Sequence, residues 1–170
     1  RDFEGQCLAP HAQRDADEFF FELLQRIEEA LGVKHPLLDT LFGGKLAQQV
    51  LWNDTKDGKP QKSVREEPFR VLQLDVRNLT SIEAALEAYV AGDPISGYTT
   101  PDGSTVDATK RVCLGTLPHT LIVQFKRFEF DYDTMVKVKL FDEISFPHVL
   151  DVSPFVAEAD DAKATASSSL

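Results

Sequence analysis

Hydrophobic residues fall into two textures along this chain. Between Asp15 and Leu31 they recur at Phe20, Leu23, Leu24, Ile27 and Leu31, the i, i+3, i+4, i+7 spacing of a helix that buries one face. Asp15 caps the first turn, Asp17 and Glu18 suit the positive end of the helix dipole, and Gly32 follows as a stop. Pro36 then opens a short connector. From Gly43 onward the period shortens to two. Gly43 to Trp52 and Phe69 to Arg77 read as strands, the second with Leu72, Leu74 and Val76 on one face. The polar run from Asn53 to Pro60 between them is rich in turn residues.

A second helix is predicted over Thr80 to Ala91, with Ile82, Leu86 and Tyr89 as its apolar stripe. Thr80-Ser81-Ile82-Glu83 has the spacing of a capping box, and Gly92, Pro94 and Gly97 end the helix. Tyr98 to Asp107 reads as a loop around the turn signal Pro101-Asp102-Gly103-Ser104. Three strands follow, at Thr109 to Leu114, Thr120 to Phe130 and Met135 to Leu140. The last two form a hairpin across Asp131 to Thr134, with Val136, Val138 and Leu140 on one face and Lys137 and Lys139 on the other. After Pro154 the chain passes into Ala, Asp and Ser, a composition that reads as a disordered tail or linker. The class is α+β, with the strands segregated after the first helix.

Composition narrows the functions. At 170 residues the chain suits one domain or a pair of small lobes. It carries 28 acidic against 18 basic residues, a net charge of −10, which argues against nucleic acid as partner because phosphate binding needs a basic face. The balance is compatible with a basic protein partner. No apolar run is long enough to cross a bilayer, and no signal peptide is visible. Two cysteines, Cys7 and Cys113, make no disulfide framework, so a reducing compartment, cytoplasmic or nuclear, is expected.

The acids Asp15, Asp17 and Glu18 have a plain reading as helix-capping charges and a functional one as a grip on a basic segment. Asp15 and Glu18 are three apart, so both project from one face of the first turn. Cys7 has His11 nearby but no helix start to lower its pKa, and Cys113 in an apolar strand reads as a small buried hydrophobe. The histidines His11, His35, His119 and His148 are scattered, and no HxxxH, HExxH or CxxC spacing indicates a metal. Gly43-Gly44 lacks the signature of a phosphate loop and reads as a sharp strand start. Read on its own, Lys126-Arg127-Phe128 with Phe130 is a half-buried strand with a basic outer face.

Three segments also resemble a known family. Gln13-Arg14-Asp15-Ala16-Asp17-Glu18-Phe19 is similar to the Gln-Gln-Asp-Ala-x-Glu-Phe box of the ubiquitin-specific proteases. The run from Leu117 to Phe128 resembles their Leu-Pro-x-x-Leu-x-x-x-Leu-Lys-Arg-Phe strand. Phe146-Pro147, Leu150-Asp151 and Pro154-Phe155 resemble the segment that follows it. The three occur in the family's order across Gln13 to Phe155. The resemblance implies an incomplete papain-like cysteine proteinase fold of the fingers-palm-thumb type within residues 1–155. Residues 13–42 would belong to the thumb, 43–110 to the fingers and 111–155 to the palm, with 156–170 as tail. It implies ubiquitin or ubiquitinated proteins as partners, with Asp15 and Glu18 matching carboxylates that hold arginines of the ubiquitin tail. Phe128, Phe130 and Lys139 fall near positions lining the cleft for that tail.

The departures from the family pattern carry expectations too. The nucleophile box, Gly-x-x-Asn-x-x-Asn-x-Cys, belongs well before Gln13, and Cys7 does not match it. The Gly-His-Tyr segment that carries the catalytic histidine belongs beyond the third motif. No catalytic residue is therefore assigned here, and the segment alone is expected to be inactive. Many relatives hold a structural zinc with two CxxC pairs in the fingers. Leu51 to Glu67 and Tyr98 to Val106 contain no cysteine, which implies fingers closed without metal; no cofactor is expected. The readings left open are a deubiquitinase segment that positions ubiquitin, an inactive ubiquitin-binding scaffold, and an unrelated α+β interaction domain.

Overall fold

A computed structural model describes residues 16–32, 36–55 and 57–157. The chain divides into two compact units, residues 1–41 and 42–170. In the first, helix α1 spans Ala16–Leu31 and a short helix α2 begins at Leu37 and runs to Phe42. Phe20, Leu24 and Ile27 form the inner stripe of α1, with Leu24 buried. Leu23 lies on the flank of that stripe and Leu31 at the helix end, and both are exposed. Gly32, at φ 93°, stops the helix in the left-handed conformation that a glycine adopts without strain. The connector predicted after Pro36 is instead α2, whose Leu38 is buried. Six residues are too few to display a helical period.

The second unit begins with two long antiparallel strands, β1 (Gly44–Asn53) and β2 (Pro60–Phe69). They pair without interruption from Gly44 opposite Phe69 to Asn53 opposite Pro60. With β4 (Asp93–Thr99) and β5 (Thr105–Thr116) they make a four-stranded sheet in the order β2-β1-β5-β4. Gly44 starts β1 because of close approach: a Cβ there would lie 2.6 Å from the Phe69 ring and 2.8 Å from the Thr116 carbonyl oxygen. Near the far end of the sheet, the rings of Trp52 and Tyr98 meet at 5.4 Å between centroids.

Strand β3 (Val71–Asp75) pairs in parallel with β6 (Ile122–Lys126), from Val71 opposite Ile122 to Asp75 opposite Lys126. Helix α3 (Ile82–Val90) packs on β3 and β5, and their apolar faces make the core. Leu72, Leu74, Ile82, Ala85, Leu86 and Leu114 fill it with Phe155 from the 3-10 turn Ser153–Phe155. Full burial of a leucine of this kind contributes about 1.5–3 kcal/mol. The final ribbon is β7 (Phe128–Asp131) with β8 (Val136–Lys139), antiparallel. The α+β class read from the sequence holds.

Several boundaries differ from those expectations. The cap of α3 is Ser81, whose Oγ accepts the Ala84 N–H at 3.2 Å, so the capping box proposed from Thr80 does not form. The loop expected over Tyr98 to Asp107 shrinks to the turn after Thr100, with strands on both sides. Phe69 closes β2 rather than opening β3. The single strand expected from Thr120 to Phe130 is two strands that break at Arg127, because β6 pairs with β3 and β7 with β8.

Candidate functional site

The sequence-derived site residues divide between the two units. Asp15, Cys7, His11 and His35 lie outside the described residues. Glu18 stands exposed on the first turn of α1. Phe128, Phe130 and Lys139 belong to the second unit, and the structure brings these three together on the β7–β8 hairpin.

Antiparallel register sets the faces of that hairpin. Phe128 is opposite Lys139 and Phe130 opposite Lys137, so these four side chains share one face. Glu129 opposite Val138 and Asp131 opposite Val136 make the other, which agrees with the alternation read from Val136 to Lys139. Both phenylalanines are about half exposed, Phe128 at 53% and Phe130 at 48%. The Lys137 ammonium lies 5.0 Å from the Phe128 centroid, and Lys139 lies 5.9 Å from it and 5.5 Å from the Phe141 centroid. Each such contact contributes about 0.5–1 kcal/mol at an exposed site. The Phe130 ring meets Tyr132 edge-on at 5.2 Å. Sequence reading left Lys137, Tyr132 and Phe141 out of the candidate site, although the period of two already puts Lys137 beside Lys139.

The turn of the hairpin is self-closed. The Asp131 carboxylate accepts the Asp133 N–H at 2.9 Å and the Thr134 hydroxyl at 2.8 Å. The Thr134 hydroxyl, then the backbone N–H groups, hold its carboxyl below the usual aspartate value. Met135, at φ 56°, completes the turn. Alongside, Arg77 Nη1 pairs with Glu129 Oε2 at 3.2 Å, bordering a hollow of about 400 Å³ lined by Phe130, Asp131 and Tyr132. A second hollow of about 770 Å³ runs along Arg127, Lys139, Phe141 and Asp142 at the hairpin root.

The other candidates resolve simply. Cys113 is buried in β5, as expected of a small hydrophobe. His119 and His148 are exposed. Among the described residues no group of His, Cys, Asp and Glu could hold a metal ion, and no helix is long and apolar enough to cross a membrane. The four-stranded sheet is tied by backbone ladders and by side chains, including Lys45 to Glu66 at 2.6 Å and Arg111 Nε donating to Gln49 Oε1 at 2.7 Å.

The mixed helices and sheets are consistent with part of a papain-like fold of the fingers-palm-thumb class. A chain of the SAGA Ubp8/Sgf11/Sus1/Sgf73 DUB module bound to ubiquitin aldehyde superposes with a TM-score of 0.75 at 24% identity, over 86% of this chain and 34% of that one. The family model described as ubiquitin carboxyl-terminal hydrolase matches residues 2–169, and the chain belongs to that family. It is 35% identical over 157 residues to the probable ubiquitin carboxyl-terminal hydrolase FAF of Drosophila melanogaster. It is 32% identical over 163 residues to ubiquitin carboxyl-terminal hydrolase 15 of Saccharomyces cerevisiae. These matches cover 89% and 92% of this chain but 6% and 13% of the two relatives.

Proposed function

We propose that this chain is the ubiquitin-holding part of a thiol-dependent deubiquitinase that hydrolyses the bond after the C-terminal glycine of ubiquitin. The observation that carries the reading is the family match across residues 2–169. The hairpin supports it, because it offers two half-exposed rings on one face to a narrow extended segment. In this reading residues 13–42 belong to the thumb, 43–110 to the fingers and 111–155 to the palm. Phe128 and Phe130 wall the cleft for the ubiquitin tail, and the Lys139 stem extends that wall. Asp15 and Glu18 grip arginines of the tail through charge-assisted hydrogen bonds.

Chemistry falls to a cysteine and a histidine that other parts of the whole protein supply. The histidine as base takes the thiol proton, the thiolate attacks the carbonyl of the scissile bond, and the C–N bond breaks as the histidine, now the acid, protonates the leaving amine. The acyl-enzyme is then hydrolysed. The residues of this chain bind and orient; they transfer no proton in this scheme. Ubiquitin or ubiquitinated proteins are the partners.

Ubiquitin bearing a C-terminal electrophile tests the proposal when it is added to the whole protein and the intact mass is recorded. One added ubiquitin, lost when a cysteine outside this segment is replaced, supports an active thiol deubiquitinase. Ubiquitin binding without an adduct would instead make the protein an inactive ubiquitin-binding scaffold. Absence of both binding and adduct removes ubiquitin from the account.

A further inference from the structure

In addition to the Arg77–Glu129 pair on β7, the root of the hairpin meets the rest of its unit at the kink at Arg127 and the strap from Leu140 to Ser145. Three hydrogen bonds meet there. The Leu140 N–H donates to the Arg127 carbonyl at 2.7 Å, closing the hairpin root. Arg127 Nη1 donates to the Asp142 carbonyl at 2.8 Å. The Asn78 N–H donates to Asp142 Oδ1 at 3.0 Å.

Asn78 sits in the turn that leads from β3 toward α3, at φ 59°, a left-handed conformation that asparagine tolerates better than most residues. The Leu79 N–H donates to the Val76 carbonyl at 3.1 Å and tightens that turn. One residue thus ties two elements far apart in sequence. The Asp142 carboxylate receives the turn before α3, and its carbonyl receives the arginine at the break between β6 and β7.

Farther along, the strap has a separate anchor. The Ser145 N–H donates to the Thr80 carbonyl and the Ile82 N–H to the Ser145 carbonyl, each at 2.9 Å. The Ser145 Oγ also donates to the Thr80 carbonyl at 3.0 Å. These bonds hold the strap against the start of α3 without help from Asp142. Loss of the Asp142 carboxylate therefore removes the tie between the hairpin root and the turn before α3, while the Ser145 anchor at the start of α3 stays in place.

We infer that Asp142 is a positioning residue for ubiquitin recognition, holding the β7–β8 hairpin at a fixed attitude to the α3 turn so that Phe128 and Phe130 meet the tail. The inference rests on the hairpin serving as a tail-binding surface, as proposed above. It assigns Asp142 no contact with ubiquitin.

The test compares Asp142→Ala, Asp142→Asn and Phe128→Ala in the whole protein, by steady-state cleavage of a C-terminal ubiquitin amide and by hydrogen exchange. Asp142→Ala should raise KM about tenfold, the effect of losing one hydrogen bond to a charged acceptor, with kcat changed less than about twofold. Asp142→Asn keeps an oxygen facing the Asn78 N–H and should restore most of the loss. Amides of Val136 to Leu140 should exchange faster in the alanine variant, with those of β1 and β5 unchanged. If Phe128→Ala raises KM but Asp142→Ala does not, the positioning role fails and the tail-binding face stands. Equal impairment of the alanine and asparagine variants also overturns the role, since the acceptor would then not be what matters. If Phe128→Ala leaves KM unchanged, the tail-binding reading falls and the role of Asp142 falls with it.

Discussion

Phe128 stands directly opposite Lys139 across the β7–β8 hairpin, with the lysine ammonium 5.9 Å from the ring centroid and the ring still half exposed. The relationship separates function from stability at this position. A half-exposed ring on a two-stranded ribbon contributes little to the core, so its bulk is available to whatever lies against it. Replacing Phe128 or Phe130 by alanine is expected to raise KM for ubiquitin substrates about tenfold or more, the scale for truncating an aromatic contact at an interface. The melting temperature should shift by no more than a few degrees. Kinetics and a thermal melt of the same preparation check both halves, and a large loss of stability would return the rings to a structural role.

The hairpin turn carries a pH signature. Asp131 is depressed below its ordinary value of 3.8, first by the Thr134 hydroxyl and then by the backbone N–H groups of Asp133 and Thr134, with Arg77 adding a smaller push. A depressed carboxyl contributes stability that is fully present above its unfolded value and is lost as pH falls through the folded one. The turn should therefore loosen only below the ordinary aspartate range. Amide shifts of Asp133 and Thr134 followed by NMR should titrate there, and Asp131→Asn should abolish that titration. A midpoint at or above the ordinary value would contradict the hydrogen-bonded turn.

The parts of this fold that the sequence made legible are those where burial imposes a period. Leu24 in α1, the stripe Ile82, Leu86 and Tyr89 in α3, and Leu72 and Leu74 in β3 all follow from spacing. The hairpin faces followed from alternation alone. Strand β2 was not legible, because Pro60 to Phe69 is solvated on much of both faces and Lys62, Arg65, Glu66 and Glu67 give it no apolar alternation. Strand β4 was masked by Pro94 and Gly97, which read as breakers but sit on an edge strand with an irregularity between Ile95 and Tyr98. The break at Arg127 lies in an unbroken β-like sequence, so only the choice of partners, β3 for one half and β8 for the other, reveals it. Asp142 was equally invisible, since its two partners are 15 and 64 residues away.

Gly44 offers a test of close packing where the long ribbon begins. A methyl group there would press into the Phe69 ring and within 2.8 Å of the Thr116 carbonyl, and a backbone oxygen cannot rotate away as a side chain can. Gly44→Ala should destabilise this end of the sheet by about 1–3 kcal/mol, the usual cost of overpacking. Hydrogen exchange at the amides of Lys45, Leu46 and Leu114 is the measurement. Protection equal to that of the native chain would mean that β1 and β5 separate more readily than their contacts imply.

Gln49 is the sharpest case of a polar group held inside the sheet. It is fully buried on β1, directly opposite Arg111 on β5, and its Oε1 accepts the Arg111 Nε–H at 2.7 Å. Among the described residues no buried side-chain nitrogen or oxygen lacks a hydrogen-bond partner, so this bond is part of a satisfied interior. Gln49→Leu keeps nearly the same volume but takes the acceptor from a half-buried guanidinium, and should destabilise the sheet by about 1–3 kcal/mol. Replacing both partners should be milder than the single changes predict, because two apolar groups leave no orphaned donor. The double variant Gln49→Leu with Arg111→Leu is therefore expected to recover part of the exchange protection of β1 and β5 lost in Gln49→Leu. Strict additivity of the two changes would show that the residues, though adjacent, do not depend on each other.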